Sequence, residues 1–400
     1  MKILLCHNFL RSSAPSGEDS VYRNEHSLLK AQGAEVSVFE RFNDLIDEST
    51  LAKRMKLGLN TAWSNKTYCD LSDLIKKTQP DIAHFHNTFP LISPSAYVAC
   101  YDNQVPVVQT LHNYRLICPN GLLLRNALPC EDCVGPSLIP ALRYRCYRGS
   151  LPATGAIVWM LARHRWQGTY RRMVNRFIAL TDFSASRYVK GGFPKDQIEV
   201  KPNFLLNVPK RGGGKGNYAV YVGRLAEEKG VRTLLSAWKA MNGLPLKILG
   251  DGPLRSPLES LAKKANLPIE FLGYCKQEQI HKIVGEGQCL IVPSEWYEGF
   301  PMVILEAYAC GTPVVAARIG SLDEIVKEGE SGVKFEPGNP VDLANTVKKL
   351  LADPHGIRRI RAAAYFHFQQ QYTSERNYLQ LMGIYKRAID NFHQRRQRMW

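Results

Sequence analysis

Short apolar runs alternate with longer stretches of helical pattern along most of the chain. The first run, Lys2–Cys6, is followed by a polar loop, a helix through about Gln32 and a second run at Glu35–Phe39. Unbroken apolar runs of this length are typical of parallel strands, because helices bury both faces of such a sheet. The order strand, helix, strand therefore predicts an α/β protein with doubly wound parallel sheets.

The alternation continues after a polar region, 43–68, to which no element can be assigned. Further strands of the first half are predicted at Ile82–Phe85, Val107–Thr110, Phe177–Leu180 and Ile198–Lys201, with helices over about 70–78, from Pro94 and after a cap at Thr181 or Asp182. Strands of the second half are predicted at Tyr218–Val222, Leu246–Leu249, Ile269–Leu272, Cys289–Val292, Pro313–Ala317 and Val333–Phe335, with Pro253 and Pro301 in the first turns of two helices. Helices over about 341–352, 356–370 and 373–391 precede a basic tail, QRRQRMW.

A glycine-rich stretch, PKRGGGKG at Pro209–Gly216, separates the two α/β halves. Glycines in a polar stretch that contributes no side chains to a hydrophobic core are typical of a flexible linker. A length of 400 residues also exceeds what one ordinary hydrophobic core needs. The sequence therefore predicts two domains that are joined by a hinge and face a cleft.

The formal net charge of +16 indicates an acidic partner, such as nucleotide phosphates, an anionic membrane or nucleic acid. No apolar segment reaches the roughly 18–20 residues of a membrane span, and the N-terminus has no signal-peptide cleavage site. The ten cysteines are therefore expected to be reduced thiols in the cytoplasm. Basic residues spread over both halves and the standard recognition motifs are missing, which argues against a nucleic-acid-binding module.

An insertion at residues 113–150 interrupts the alternation and holds Cys118, Cys130, Cys133 and Cys146. A C-x2-C pair with two further cysteines suits tetrahedral binding of zinc by thiolates. Four protein thiolates would leave the metal no open position, so its role would be to stiffen this long loop. The outer spacings match no standard zinc finger, and small buried thiols are the alternative interpretation.

Residues 143–176 carry eight arginines and no acidic residue, interleaved with Trp159, Met160, Trp166 and Tyr170. A basic helix with aromatic residues is typical of a segment that lies on anionic lipid. The alternative is an amphipathic helix that packs on its own domain, with its arginines solvated or paired.

Polar side chains stand at the carboxyl ends of two predicted strands of the first half. They are His84, His86, Asn87 and His112. Ligands of α/β sheets bind outside the carboxyl ends of the strands, which makes these residues candidates for ligand contacts. Each histidine alone is also compatible with a structural role.

The stretch PSEWYEGFPMVILEAYACGTP, residues 293–313, is predicted to be a loop that leads directly into a helix. Pro301 fits the first helical position, and Gly311 ends the helical pattern. Glu298 in the loop can fold back over the helix start, where the free N–H groups near Phe300–Val303 bind anions. With Glu306 on the helix, the stretch offers donors and two carboxylates, although a capped surface helix is the plainer interpretation.

The first strand of the second half leads into VGRLAEEKG, residues 222–230. Gly223 would let a ligand approach the strand end closely, and Arg224 and Lys229 provide two cations there. Arginine grips phosphate in a bidentate manner and lysine adds a mobile charge. This motif and the 293–313 stretch together indicate a diphosphate site.

Three motifs, GRLAEEKG, ILGDGP at 248–253 and EGFPMVILEAYACGTPVV, resemble those of the retaining nucleotide-sugar glycosyltransferases of family 4. Their order and spacing match, and the pair Glu298 and Glu306 fits the paired-glutamate signature of that family. The resemblance implies the GT-B fold: two Rossmann-like domains facing a cleft, with a last helix that crosses back to the first domain. The segment LHNYRLICPNG…CEDC…CYRGS is similar to a subgroup of bacterial surface-polysaccharide transferases.

The resemblance implies an acceptor-binding domain at 1–207, a donor-binding domain at 208–372, and a crossover helix with a basic tail at 373–400. It places Arg224 and Lys229 on the donor diphosphate, Glu306 on the ribose, and Glu298 and His112 near the transferred sugar. The implied catalytic residues are Glu298, His112, Arg224 and Lys229. The implied donor-binding residues are Gly17, Gly223, Arg224, Lys229, Gly250, Gly273, Glu298, Gly299, Phe300, Pro301 and Glu306. Gly17 departs from the family pattern, since PSGED stands where the family has a glycine pair.

The function that the resemblance implies is transfer of a sugar, with retention, from a UDP- or GDP-sugar to a hydroxyl of a lipid-linked glycan, for surface polysaccharide synthesis. No DxD metal motif stands in a suitable place, so no cofactor is expected for catalysis and two basic side chains would take the role of a divalent ion. The expected location is the cytoplasmic face of the cell membrane. An epimerase or hydrolase of nucleotide sugars on the same fold is the alternative.

Overall fold

The computed structural model describes residues 1–12, 17–241 and 243–397. Part of the predicted loop after the first strand, 13–16, and the end of the predicted basic tail, 398–400, lie outside the described residues. The chain forms two compact units. The N-terminal unit comprises Met1–Leu123, Cys130–Asn203 and Glu375–Trp400, and the C-terminal unit comprises Leu124–Pro129 and Phe204–Ser374.

The strands are β1 Lys2–Phe9, β2 Glu35–Phe42, β3 Ile82–Phe85, β4 Val107–Leu111, β5 Leu124–Arg125, β6 Leu128–Pro129, β7 Arg176–Ala179, β8 Ile198–Val200, β9 Ala219–Val222, β10 Leu246–Leu249, β11 Ile269–Gly273, β12 Cys289–Val292, β13 Val314–Ala317 and β14 Gly332–Phe335. The helices are α1 Gly17–Ala31, α2 Leu51–Ala62, α3 Asn65–Thr78, α4 Ser95–Asp102, α5 Ile139–Arg143, α6 Leu151–Trp166, α7 Thr169–Met173, α8 Asp182–Lys190, α9 Val231–Trp238, α10 Arg255–Lys264, α11 Gln277–Glu286, α12 Met302–Ala309, α13 Gly320–Ile325, α14 Pro340–Leu351, α15 Pro354–Gln371 and α16 Ser374–Gln397.

Each unit is built on a six-stranded sheet in which every pair of neighbouring strands is parallel. The N-terminal sheet has the order β2-β1-β3-β4-β7-β8, and the C-terminal sheet has the order β11-β10-β9-β12-β13-β14. The order reverses between β1 and β3 in the first sheet and between β9 and β12 in the second. Such switch points open a crevice at the carboxyl ends of the strands, where α/β sheets bind their ligands.

The last helix completes the N-terminal core, as the resemblance implied. Leu381, Ile384, Tyr385 and Ala388 of α16 are buried and form one cluster with β1 residues, among them Ile3 and Leu5. Their spacing of three and four residues places them on one face of the helix. The predicted fold class, two Rossmann-like parallel-sheet domains with a returning C-terminal helix, is therefore confirmed.

Three local predictions need correction. The unassigned region 43–68 contains α2, which begins after the cap residue Thr50, and the start of α3, capped by Ser64. Pro253 lies in a turn ahead of α10 rather than in its first turn. Pro301 is the extended cap residue of α12 and not its first helical residue. In the described residues, no helix combines the length and the apolar run that crossing a membrane requires.

Candidate active site

The loops after β9 and β12 lie side by side at the switch point of the C-terminal sheet. The backbone N–H of Glu295 donates to the carbonyl of Glu228 at 3.0 Å. A Cβ added at Gly230, whose φ is +65°, would lie 1.8 Å from the carbonyl oxygen of Pro293. Any side chain at Gly230 would therefore push the two loops apart, so this glycine fixes their contact.

Lys229 and Glu298, which are 69 positions apart, meet in this crevice. The Lys229 Nζ donates to Glu298 Oε1 at 2.6 Å, and the Ser294 hydroxyl donates to the same oxygen at 2.7 Å. The Glu298 side chain is 7% exposed and that of Lys229 is 24% exposed. The lysine is thus held in place by the carboxylate while part of it still faces solvent.

Arg224 lies at the same strand end, but no described residue pairs with its side chain. The residue is exposed, and its backbone carbonyl accepts a hydrogen bond of 2.9 Å from the Tyr221 hydroxyl. Among the described residues, no acceptor or acidic group is paired with its guanidinium. Its charge is therefore available to a ligand.

Gly223, Gly250 and Gly273 lie together at the ends of β9, β10 and β11. The N–H of Gly250 donates to the carbonyl of Gly273 at 2.7 Å. A Cβ at Gly250, whose φ is +129°, would lie 2.0 Å from the carbonyl oxygen of Gly223. Packing of the strand ends therefore requires glycine at position 250, whatever the role of these residues in ligand binding.

Helix α12 begins at Met302, four residues after Glu298. The N–H groups of Met302 and Val303 have no acceptor within their own helix, because the residues four positions earlier lie outside it. Phe300 is buried and contacts the ring of Tyr372, with centroids 5.8 Å apart. The segment Gly299–Pro301 therefore leads the chain into the helix with its aromatic side chain turned inward.

Glu306 lies on α12 and accepts a hydrogen bond from Gln277, a residue that the motifs did not single out. The Gln277 side-chain amide, at the start of α11, donates to Glu306 Oε1 at 2.5 Å. Burial raises the pKa of Glu306 to about 7, and the hydrogen bond from Gln277 opposes this only in part. Gln277 follows β11, which ends at the implied donor-binding residue Gly273, so it borders the predicted donor site.

We expect Glu306→Gln to stabilise the ligand-free protein at alkaline pH. Because the folded-state pKa is raised from 4.5 to about 7, stability is highest below about pH 4.5 and is lost as the pH rises through 7. The buried charge costs on the order of 3 kcal/mol above that range, by the value of one pKa unit. Melting temperatures of both proteins at about pH 5 and about pH 8 should diverge at the higher pH. Glu278→Gln, an exposed neighbour on α11, is the control, and a pH-independent difference for Glu306→Gln would contradict the expectation.

The strand ends of the N-terminal sheet carry a buried polar network around Glu25 of α1. Glu25 Oε1 lies 2.9 Å from His84 Nδ1 and accepts from His86 Nε2 at 3.1 Å, and Glu25 Oε2 accepts from Lys201 Nζ at 3.1 Å. Burial by itself would raise the pKa of Glu25, but Lys201, His84 and His86 outweigh it and hold the pKa well below the usual value. The carboxylate is therefore ionised, although the residue is 1% exposed.

The network extends to His112, whose Nε2 lies 2.9 Å from His86 Nδ1. Burial lowers the pKa of His86 to about 3 and that of His112 well below its usual value, so both rings are neutral. Since the Glu25 carboxylate can only accept, the proton of His86 is on Nε2, and its Nδ1 accepts from His112. This assignment leaves His112 Nδ1 unprotonated and able to accept a hydrogen bond.

Glu25, His84 and His86 also form the one group of potential metal ligands, within the described part of the chain, whose ligand atoms all lie within 4.8 Å of one another. The Lys201 ammonium already neutralises the carboxylate, and Asn377 of α16 accepts a second hydrogen bond from it at 3.1 Å. The arrangement fits a charge-compensated hydrogen-bond network better than a metal centre.

Gly17 opens α1 in an exposed position, and a Cβ added there would meet no described atom within 4 Å. Packing therefore does not explain this glycine. The adjacent Glu18 accepts a hydrogen bond of 3.2 Å from Asn113, and burial raises the pKa of Glu18 to about 7. Glu18 follows Gly17 in the chain and Asn113 follows His112, so this hydrogen bond connects the two segments that hold these predicted residues.

The four cysteines of the insertion gather around Cys133, which interacts electrostatically with Cys118, Cys130 and Cys146. All four are free thiols, and burial raises the pKa of Cys133 to about 11. Across the described residues, however, no three of their sulfur atoms come within 4.8 Å of one another. The geometry does not fit a tetrahedral zinc site, whereas Cys133 packs in an apolar cluster with Ile157 and Leu161 of α6.

The basic segment includes α6 and α7, and α6 packs on its own domain, as the alternative interpretation expected. Ile157, Met160, Leu161 and His164 of α6 are buried in the N-terminal unit. Arg165 donates to the carbonyl of Gly135 at 2.8 Å. The outer face leaves Trp159 and Trp166 exposed, at 55% and 88%. Contact of this face with a membrane stays a prediction.

Sequence reasoning missed Glu25, Lys201, Gln277 and Ser294. Lys201 directly follows β8, so the rule that selected the histidines at strand ends would also have selected it. Glu25 and Gln277 lie on helices at positions that no motif marks. Their roles follow only from the residues that the fold brings next to them.

Two family models match the chain: Glycosyltransferase Family 4 over residues 20–205 and Glycosyl transferases group 1 over residues 208–366. An uncharacterized glycosyltransferase of Methanocaldococcus jannaschii is 32% identical over 178 residues, which are 44% of this chain and 50% of that protein. The chain thus spans about half the length of the curated relatives that it matches first.

Solved structures match over nearly the whole chain. Anabaena HepE in complex with UDP has a TM-score of 0.68 at 18% identity, with 96% of this chain and 99% of that chain covered. Sucrose-phosphate synthase of Thermosynechococcus elongatus has a TM-score of 0.72 at 19% identity, with 97% and 99% covered. With both units matched by family models and the architecture shared, the chain belongs to the family 4 glycosyltransferases of the GT-B fold.

Proposed function

We propose that this protein is a retaining glycosyltransferase that moves a sugar from a UDP- or GDP-sugar to a hydroxyl of a glycan acceptor. The observation that carries the proposal is the cluster at the β9–β12 switch point. Arg224, which has no side-chain partner among the described residues, follows β9 there, the Lys229–Glu298 pair joins the segments after β9 and β12, and α12 begins four residues after Glu298. The structural relative HepE was solved with UDP, and also with UDP and glucose, which supports a nucleotide-sugar donor.

The chemistry follows from the charge that develops during transfer. As the bond between the sugar and the diphosphate breaks, negative charge grows on the leaving phosphate and positive charge on the anomeric carbon. Arg224, Lys229 and the N–H groups at the start of α12 would stabilise the leaving phosphate more in the transition state than in the ground state. In this proposal the two basic residues have the role that a divalent cation has in other transferases.

The two glutamates would have different tasks. Glu298, held by Lys229 and Ser294, would contact the transferred sugar together with the Gly299–Pro301 backbone. Glu306, held by Gln277, would accept hydrogen bonds from the ribose. Gly223, Gly250 and Gly273 would keep side chains away from the donor. Attack by the acceptor hydroxyl from the side of the leaving phosphate, which accepts its proton, would retain the configuration of the anomeric carbon.

The N-terminal unit, residues 1–207 in the predicted division, would bind the acceptor. Its His112 is neutral and presents an unprotonated Nδ1, which suits acceptance of a hydrogen bond from a sugar hydroxyl. The Glu25–His86 pair would keep it in this tautomer. Gly17, which packing does not require, begins α1 directly after the predicted loop that corresponds to the donor-binding loop of the family.

We further propose that the acceptor is lipid-linked, that the product belongs to a surface polysaccharide, and that the enzyme works at the cytoplasmic face of the membrane. The net charge of +16 and the exposed tryptophans of α6 support contact with an anionic surface. A zinc ion at Cys118, Cys130, Cys133 and Cys146 is left out of this proposal, because the thiol geometry does not fit it.

A thermal-shift comparison of UDP, GDP and their sugars tests the proposal. A donor at one hundred times its Kd should stabilise the protein by about 2.7 kcal/mol through mass action. Transfer assays with the stabilising donor should give a product with the anomeric configuration of the donor and should continue in a metal chelator. An inverted product, a free epimer or release of sugar without acceptor would each contradict the proposed reaction.

A further inference from the structure

The N-terminal unit has an apolar groove of about 870 Å³ between α2 and α6. Its walls include Leu51, Met55, Leu59, Ile157 and Trp159, and Phe89, Pro90 and Tyr147 lie at one end. A volume of this size falls in the range of roughly 300–1,000 Å³ that ligand pockets have. All of these lining residues belong to the N-terminal unit, whereas the predicted diphosphate site consists of residues of the other unit.

Helix α2 turns a row of apolar side chains to the groove rather than into the core. Leu51, Met55 and Leu59 follow one another at intervals of four residues, yet they are 73%, 61% and 66% exposed. The buried residues of the helix are Thr61 and Ala62 at its end. An apolar helical face that stays in solvent loses the free energy that its burial would supply, which indicates an occupant.

The floor of the groove is made by close contact of the two helices. A Cβ added at Gly58 would lie 3.2 Å from the Cβ of Ala156. His164 of α6 makes a hydrogen bond of 2.8 Å with the carbonyl of Ala62. The groove is therefore a fixed feature of the unit and not a gap between loosely packed helices.

The charges on the groove favour an anionic occupant. Arg54 and Arg148 line it together with a single acidic residue, Glu48. Glu48 already accepts from Arg148 at 2.7 Å and from Arg11 at 3.3 Å. The groove is thus lined by two arginines and one acidic residue, next to aliphatic and aromatic side chains.

We infer that this groove holds the apolar chain of an anionic acceptor lipid, with Arg54 and Arg148 facing its phosphate. The inference rests on the proposed function and specifies its acceptor as a lipid phosphate or diphosphate. Long aliphatic walls with few polar atoms suit a flexible hydrocarbon chain, and the arginines suit a phosphate at its end. Trp159 at the rim has the amphipathic character of residues that lie where apolar and aqueous surroundings meet.

Isothermal titration with a short-chain prenyl phosphate tests this inference, with inorganic phosphate and the corresponding prenol as separate ligands. We expect saturable binding of the prenyl phosphate and a heat-capacity decrease from apolar burial, with much weaker binding of either part alone. Trp159→Ser and Leu59→Gln should each raise its Kd at least about tenfold, the effect of losing one buried apolar contact. Their positions are exposed, so folding should be preserved.

The chain offers matched controls. Trp166 is on the same helix as Trp159 and Leu379 is a similarly exposed leucine on α16, and neither lines the groove. Trp166→Ser and Leu379→Gln should leave the Kd unchanged. Equal losses in all four variants, or phosphate binding as tight as that of the prenyl phosphate, would overturn the inference.

Nucleotide binding separates this inference from the proposed function. If UDP or GDP binds while prenyl phosphate does not, the groove has another occupant. The inference is then wrong, whereas the proposed function is not contradicted. If neither nucleotide binds, the proposed function fails, and the inference falls with it.

Discussion

Replacing Arg224 by Ala is expected to lower kcat/KM by about two to three orders of magnitude while the melting temperature stays unchanged. The loss corresponds to roughly 3–4 kcal/mol, the value of one well-placed donor to a developing anion. Because the guanidinium is exposed and has no partner among the described residues, its removal breaks no contact that supports the fold. Steady-state kinetics with the identified donor, together with a thermal melt, measure both quantities.

Arg232→Ala is the matched control for this variant. Arg232 lies at the start of α9, eight residues after Arg224, and is about half exposed in an ion pair with Glu227. Its removal should change kcat/KM little. If Arg224→Ala transferred sugar at the wild-type rate, the assignment of the diphosphate to this strand end would be wrong.

Lys229→Ala should also abolish most turnover, but with a cost in stability. The lysine pairs with the nearly buried Glu298, so its removal leaves a carboxylate without its cation. A loss of activity in this variant is therefore less specific than the same loss in Arg224→Ala. The contrast between the two melting temperatures is itself an expected result.

The largest expected effect on stability comes from Glu25→Gln. This change removes the carboxylate that compensates Lys201, and both side chains are almost completely buried. Breaking such a pair from one side costs about 3–5 kcal/mol, since a buried charge is left uncompensated. Urea unfolding of the N-terminal unit, followed by a probe within it, should show the loss.

The double variant Glu25→Gln/Lys201→Met is the control, because it removes both charges together. It should recover much of the stability that Glu25→Gln loses. The pH dependence provides a second check. The pKa of Glu25 is lowered, so its contribution is present above its ordinary pKa of 4.5 and is lost as the pH falls below it. A constant difference between wild type and Glu25→Gln across this range would contradict the ionised state of the carboxylate.

The meeting of the two C-terminal motifs at the candidate site was predictable, because each motif follows a strand. Arg224 and Lys229 lie in the segment that follows β9, and Glu298 lies in the loop that follows β12. A parallel sheet brings the carboxyl ends of its strands to one edge, so the meeting of these motifs followed once the two strands became neighbours. The partner of Glu306 was not predictable, since Gln277 lies on a helix surface like many other glutamines.

The N-terminal site was predicted only as a set of separate histidines. Their assembly depends on Glu25 from α1, Lys201 after β8 and Asn377 from α16, which are spread over most of the chain. No local pattern encodes such a cluster, because each member is an ordinary polar residue until the others surround it. The groove has the same origin, since α2 lies in the one region whose pattern was too weak to assign.

The sequence by itself determined the architecture of this protein and the donor motifs. Periodicity of apolar residues specifies strands and helices, and the motifs keep charged residues at fixed distances from strand ends. Only the tertiary structure decided which charges are paired and which are free, the tautomer of His112, and the exposure of the apolar face of α2. These properties depend on burial and on contacts between residues that are remote in sequence, and such contacts exist only in the folded chain.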